Sequence, residues 1–122
     1  MNIDDLTIGQ AKALAAQFGG SNGHIDNGMQ GKYVIVRCRD AGVHAGVLES
    51  YNGRECVLLN SRRLWYWKPT SGKFLSAVAN NGLDSASKVG EPLDRLHLTE
   101  NCEIIQCSSD AEESIRGIKS NE

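Results

Sequence analysis

The stretch YVIVRCRDAGVHAGVLESYNGRECVLLNSRRLWYWK, residues 33–68, decides the fold. It contains most of the strand-forming residues of the chain, and a two-residue alternation of side chains runs through it, which is typical of β-strands. Turn-forming residues interrupt this alternation at three places. The pattern therefore predicts four short antiparallel strands, at residues 33–38, 43–51, 54–59 and 62–68.

The residues between these strands favour tight turns. Asp40-Ala41-Gly42 predicts the first turn, because Asp can hydrogen-bond its own backbone and Gly accepts a positive φ. Asn52-Gly53 predicts a type I′ hairpin turn, with positive φ at both residues, and Asn60-Ser61 predicts another tight turn. Gly46 lies inside the second strand, where a missing side chain indicates a bend, a bulge or close backbone packing. We expect a bent meander that can curl into a small barrel.

The sequence patterns of these residues resemble those of two known families. One run resembles the first half of Sm-like small barrels: Val34-Ile35-Val36, Gly42, Ala45-Gly46-Val47-Leu48, Asn52-Gly53 and Cys56-Val57-Leu58-Leu59. Over more of its length the chain is similar to small proteins of tailed phages and prophages, through Gly42-Val43-His44-x-Gly46 and Arg62-Arg63-x-Trp65-Tyr66-Trp67. The first resemblance implies an SH3-like or Sm-like barrel. The second implies a phage-encoded protein that works in the bacterial cytoplasm, and it brings no assigned activity.

Helical signals precede and follow this core. Thr7 and Gln10 match a capping box, and the apolar residues after them predict an N-terminal helix over 7–18. Residues 19–31 are rich in glycine and asparagine, which predicts a flexible linker between that helix and the barrel. Further along, the apolar residues of 74–79 predict a short helix, which Asn80-Asn81-Gly82 closes.

The last third of the chain completes the predicted barrel. Residues 95–100 and 102–107 alternate like a final pair of strands. A C-terminal helix follows over 108–119, because Ser and Asp residues suited to an N-cap precede it and carboxylates lie near its positive end. The fold class is α+β, mostly β, in a single domain of residues 1–122. Its barrel core is residues 32–107.

Composition limits the classes of function. The 122 residues carry a net charge of −2 at pH 7, which disfavours broad binding to bulk nucleic acid, since such binding needs an excess of Lys and Arg. Hydrophobic residues make up 40% of the chain and charged residues 23%, as in ordinary soluble proteins. No apolar run approaches the roughly 18 residues of a membrane span, and the acidic start is not a secretory signal. We expect a cytoplasmic protein without membrane contact.

The cysteine pattern favours free thiols over a metal site or a disulfide framework. They form no CxxC pair and lie in strand-like apolar runs: Cys38, Cys56, Cys102 and Cys107. We expect reduced, partly buried thiols, with a zinc site as the alternative. No metal and no cofactor are predicted.

The run from Arg62 to Lys68 is the main candidate site. On a strand, Arg63, Trp65 and Trp67 share one face, whereas the other face carries Arg62, Leu64, Tyr66 and Lys68. If Leu64 and Tyr66 point inward, Arg63 and both tryptophans form an exposed platform, which can stack bases and hold a phosphate. The alternatives are a protein-binding hot spot and tryptophans buried under a helix or between subunits.

His44 is a second candidate, because the backbone at Gly42 and Gly46 beside it can approach a ligand closely. The alternative is a structural role, which is more common for a lone histidine in a strand. No motif for phosphate loops, zinc proteases or serine hydrolases occurs in the chain, so no catalytic residue is predicted. The predicted ligand-binding residues are Arg62, Arg63, Trp65, Trp67, Tyr66, His44 and Lys68.

These observations favour a non-enzymatic binding module. With the phage resemblance, we expect a counter-defence accessory protein that sequesters a nucleotide signal or blocks a host defence protein. Small barrels with open edges commonly close them by assembling, so a homo-oligomer is expected. Two alternatives remain, a barrel that binds single-stranded nucleic acid and a structural or virion-assembly protein.

Overall fold

The computed structural model describes residues 26–121, so the predicted helix at 7–18 and residues 19–25 of the predicted linker lie outside the described residues. The described chain is mostly β, with strands and helices in an α+β arrangement, as predicted. Its strands are β1 (Tyr33–Cys38), β2 (Val43–Asn52), β3 (Glu55–Tyr66), β4 (Lys88–Val89), β5 (Leu93–Leu98) and β6 (Asn101–Gln106). Its helices are α1 (Leu75–Asn81) and α2 (Ser109–Gly117).

The strands form one six-stranded antiparallel sheet with the order β4-β3-β2-β1-β6, and β5 also pairs with β3. Two strands therefore share the outer edge of β3. β5 pairs with residues 56–61, and β4 pairs with Leu64 and Tyr66. Among the described residues no ladder joins β5 to β6, so the sheet is open. The partition of the β3 edge leaves Arg62 and Arg63 at the junction between the two partner strands.

The predicted alternation in β1 is confirmed, and it separates two apolar cores. The helix-side core lies on the face that both helices cover, and it consists of Tyr33, Ile35, Ala45, Leu64, Leu75, Val78, Ala79, Leu83, Val89 and Ile115. The opposite-face core consists of Val34, Val36, Cys38, Leu48, Cys56, Leu58 and Leu98. Residues of β1 and β5, which do not pair, meet in this second core, so the sheet curls around it.

Both helices have the ends that their sequences favour. Ser108 is the N-cap of α2, and its Oγ accepts a hydrogen bond from the backbone N–H of Ala111 at 3.0 Å. Gly82 follows α1 with a φ of 95°, and its N–H donates to the carbonyl of Val78. The short helix and the C-terminal helix are thus confirmed, with α2 ending at Gly117, two residues before the predicted end.

The hairpin between β2 and β3 is present, but its turn lies one residue later than predicted. Asn52 pairs with Glu55, so Gly53 and Arg54 are the two central residues. Gly53 has a φ of 61°, whereas neither Asn52 nor Arg54 has a positive φ. The predicted type I′ geometry, which needs positive φ at both central residues, is therefore wrong.

The predicted turn at Asn60-Ser61 is also wrong, because β3 continues through it as one strand. Asn60 adopts a φ of 51°, and the pairing register shifts opposite it, between Ala45 and Val47. The segment is a bulge, to which the left-handed tolerance of Asn is suited. The final two strands likewise do not pair with each other, since β5 joins β3 and β6 joins β1.

Gly46 lies against this bulge, as its position inside a strand predicted. A Cβ at residue 46 would stand 2.9 Å from the carbonyl oxygen of Leu59 and 3.0 Å from the Cα of Ser61. Only a residue without a side chain lets β2 approach β3 so closely.

The described end of the predicted linker is hydrogen-bonded to the sheet. Gly31 donates its backbone N–H to the carbonyl of Leu48 at 2.7 Å, and Leu48 donates to the carbonyl of Lys32 at 2.9 Å. Met29 packs against the opposite-face core. Within residues 26–121, no helix is long and apolar enough to cross a membrane.

Candidate functional site

A groove of about 570 Å³ opens where β3 changes its partner from β5 to β4. One wall comes from the paired strands β2 and β3, and the other comes from residues 90–92 and the start of β5. The groove is lined by His44, Ser61, Arg63, Trp65, Gly90, Glu91, Pro92, Leu93 and Leu96.

The backbone fixes the separation of these walls. Gly90 donates its N–H to the carbonyl of Arg63 at 2.8 Å, which anchors the connection between β4 and β5 directly to β3. Pro92 lies in that connection, where its ring restricts φ. Leu96 also packs against the opposite-face core, so the apolar side of the groove is continuous with the interior.

Arg63 and His44 are paired across β3 and β2 and both line the groove. Arg63 is exposed, and among residues 26–121 its guanidinium has no ion-pair partner. His44 is buried, and its Nε2 donates to the carbonyl of Ala41 at 2.9 Å. A carbonyl can only accept, so in the neutral ring Nδ1 is the acceptor. The groove thus combines a cation with a neutral imidazole.

The pKa of His44 is lowered, mainly because burial disfavours the charged ring. The hydrogen bond to Ala41 opposes this effect, and the positive charge of Arg63 adds to it. His44 therefore remains neutral at pH 7.

Trp65 supplies the aromatic surface of the groove and is 51% exposed. Its Nε1 donates to the carbonyl oxygen of Asn121 at 2.8 Å. The ammonium of Lys88 lies 5.8 Å from the ring centroid, within the range of a cation–π interaction. The indole is thus held at its edge by the C-terminal residues and contacted over its face by β4.

Arg62 lies outside the groove, although it was predicted as a ligand-binding residue. Its side chain is 4% exposed, and its guanidinium is occupied by backbone and side-chain acceptors. Nε donates to Gly90 O at 3.0 Å, Nη1 to Ile115 O at 2.9 Å and Arg116 O at 3.3 Å, and Nη2 to Ser120 Oγ at 3.1 Å. Arg62 therefore caps the carboxyl end of α2 from the sheet, where a cation is favourable.

The other predicted residues also lie away from the groove lining. Trp67 is half-buried and packs against the helix-side core, so it does not share an open platform with Trp65. The condition that both Leu64 and Tyr66 point inward is met by Leu64 alone, because Tyr66 is 48% exposed and pairs with Lys88. Lys68 is exposed, and its backbone N–H donates to Ser87 Oγ at 2.9 Å. Of the predicted set, the groove brings together His44, Arg63 and Trp65.

The far wall of the groove was missed by sequence reasoning. Residues 90–92, Leu93 and Leu96 lie in and after a segment that reads only as a polar connection with a proline. Their approach to Arg63 depends on the pairing of β4 and β5 with β3, which is a long-range event. The 50% exposure of Leu93 is itself a property of the structure, so no local sequence signal marked this wall.

The described residues include no group of three or more His, Cys, Asp or Glu side chains that could hold a metal ion. No cysteine lines the groove. Burial raises the pKa of Cys56 to about 11 and that of Cys107 to about 12, so these thiols are protonated at neutral pH. The groove brings together the cation of Arg63, the carboxylate of Glu91, the indole of Trp65 and an apolar wall.

No curated protein matches the chain. A family model described as a domain of unknown function, DUF6948, matches residues 31–115. The matched segment contains all of the described strands, α1, most of α2 and the complete lining of the groove. The chain belongs to the DUF6948 family.

Proposed function

We propose that the protein is a non-enzymatic binding module whose groove captures a nucleotide-type ligand. The observation that carries this proposal is the position of Arg63 and Trp65. They lie two residues apart on one face of β3, and both line the same 570 Å³ groove. A planar base stacks on Trp65, and a phosphate pairs with Arg63.

Known energetics support this assignment. Stacking of a base on an aromatic side chain contributes about 1–3 kcal/mol, and a guanidinium matches the geometry of phosphate oxygens. Small-molecule sites commonly have volumes of about 300–1,000 Å³ and are mostly apolar with a few polar groups. Pro92, Leu93 and Leu96 supply the apolar surface, and His44 can accept a hydrogen bond from the ligand through Nδ1.

We also propose that the sheet is an SH3-like small barrel with residues 67–92 inserted before its fourth strand. β5 and β6 flank the central meander of β1–β3 and are separated by residues 99 and 100 alone. Asn101 donates its N–H to the carbonyl of Arg54 at 2.9 Å, which draws the start of β6 toward the β2–β3 hairpin. The opposite-face core is then the barrel interior, and the groove lies at its rim.

The biological role that we propose rests on the resemblance to phage and prophage proteins. Such a protein acts as a counter-defence accessory factor in the host cytoplasm, where capture of a nucleotide signal would silence a host response. We further propose that copies of the chain assemble, because the outer edge of β6 ends the described sheet and such an edge can pair with another chain.

Native mass spectrometry of the intact protein tests the ligand class. The protein is measured with linear nucleotides and with cyclic mono- and dinucleotides, at two salt concentrations. A stoichiometric mass increase is expected, and Arg63→Gln should weaken it at least about tenfold, as for loss of a charged hydrogen bond. Arg37→Gln is the control, because Arg37 pairs with Glu103 on a distant part of the sheet. Absence of binding across the panel would contradict the proposal.

A further inference from the structure

The C-terminal residues after α2 reach the groove. Residues 118–121, here named the C-terminal strap, leave the helix end and run beside β4. Asn121 donates its backbone N–H to the carbonyl of Val89 at 2.8 Å, and its own carbonyl accepts from Trp65 Nε1 at 2.8 Å. One residue of the strap thus connects β4 to the aromatic wall of the groove.

Arg62 holds this strap from the interior. Its Nη2 donates to Ser120 Oγ at 3.1 Å, and Nη1 donates to the carbonyls of Ile115 and Arg116. The same guanidinium holds the other groove wall, because Nε donates to the carbonyl of Gly90 at 3.0 Å. A single buried side chain therefore connects the helix end and the strap to residue 90 of the groove.

We propose that Arg62 and the C-terminal strap are positioning elements of the ligand site. They fix the plane of the Trp65 ring and the place of residue 90, so that a ligand meets an aromatic surface that is already oriented. This inference rests on the proposed function, since it concerns how the same groove binds. Preorganisation of this kind raises affinity because fewer rotamers are lost on binding.

The test deletes only the end of the strap, because Ile118 packs against the helix-side core and stays in place. Deletion of residues 120–122 eliminates the acceptors Ser120 Oγ and Asn121 O, but leaves α2 and the bonds of Arg62 to Gly90, Ile115 and Arg116. Glu113→Ala is the matched control, because Glu113 is exposed on α2 and does not line the groove. All variants carry Trp67→Phe, which leaves the Trp65 indole as the only tryptophan signal.

Two measurements separate positioning from ligand capture. Without ligand, the ¹H–¹⁵N signal of Trp65 Nε1 should shift and exchange faster with solvent in the deletion, but remain unchanged in Glu113→Ala. With N-methylanthraniloyl-AMP as the probe, the deletion should weaken binding about fivefold, the loss expected for one positioning hydrogen bond. Trp65→Phe, which keeps a ring but lacks the N–H, should weaken it similarly.

Each outcome decides a separate statement. An unchanged Trp65 signal in the deletion overturns the positioning proposal, and so does a shifted signal with unaltered probe affinity. If the intact chain binds no nucleotide probe, the proposed function fails, while the Trp65 signal still decides whether the strap orients the ring.

Discussion

Arg62 and Arg63 are adjacent in the chain, yet their guanidinium groups lie on opposite faces of β3. Arg62 is paired with Ala45 of the helix-side core and bonds to the carboxyl end of α2. Arg63 is paired with His44 and lines the groove. One arginine therefore stabilises the fold, and its neighbour is available to a ligand.

Substitution of each arginine should separate these roles. Arg62→Ala leaves three buried or half-buried carbonyls without their donor, so we expect it to lower the free energy of unfolding by about 3 kcal/mol. Arg63→Ala removes an exposed side chain and should change it by less than about 0.5 kcal/mol. Urea denaturation measures both values. Equal effects of the two substitutions on the free energy of unfolding would contradict the structural role assigned to Arg62 alone.

Gly46→Ala should be strongly destabilising, by about 2–3 kcal/mol, because its Cβ would collide with the backbone of Leu59 and Ser61. Gly117→Ala is the matched control. Gly117 is the last residue of α2, has no atom near its would-be Cβ, and should be neutral or slightly stabilising on substitution. Thermal unfolding of both variants tests the close approach of β2 to β3, which a well-tolerated Gly46→Ala would refute.

His44 should make the protein less stable at acidic pH. Its folded-state pKa is lowered by burial, so between that value and the ordinary value of 6.5 the unfolded chain binds more protons than the folded one. The stability that the neutral ring allows is therefore fully present above pH 6.5 and is lost as the pH falls from 6.5 through the lower folded-state pKa. The urea midpoint should therefore drop between pH 7.5 and pH 5, and less so in His44→Gln. His97→Gln, at an exposed hydrogen bond with Glu55, is the control that should retain the drop.

The thiols should differ in their reactivity. Cys102 is exposed, whereas Cys38 and Cys56 are buried and Cys107 is partly so. Burial raises the pKa of these three thiols, which keeps them protonated. With Ellman's reagent at pH 8 we expect one fast thiol in the folded protein and four after unfolding in urea. Cys102→Ser should abolish the fast phase, and a fast phase that persists would contradict this assignment.

Much of the fold follows from local sequence patterns. The β-branched alternation in β1 predicts two faces, and the structure places a core on each. Asn60 shows where such reasoning fails. A residue that tolerates a positive φ suits a turn and a bulge equally. Asn60 lies in a bulge because β2 and β5 both pair with the residues of β3 around it.

The candidate site was only partly predictable for a related reason. The alternation of faces separates Arg62 from Arg63 correctly, but it does not extend to Trp67, because β3 ends at Tyr66 and Trp67 packs against the helix-side core. The role of Arg62 depends on acceptors more than 50 residues away, at Ile115 and Ser120. No local pattern encodes such contacts.

The most direct test of the central claim is to map a bound nucleotide onto the protein by NMR. Titration with the nucleotide that shows the highest bound fraction in native mass spectrometry should move the signals of Trp65 Nε1–H, the His44 ring and the Leu93 and Leu96 methyl groups together, with one dissociation constant. The methyl signals of Ile104 in β6 and Val78 in α1, which do not line the groove, should stay in place. Saturable shifts confined to residues outside the groove, or no shifts at all, would contradict the account.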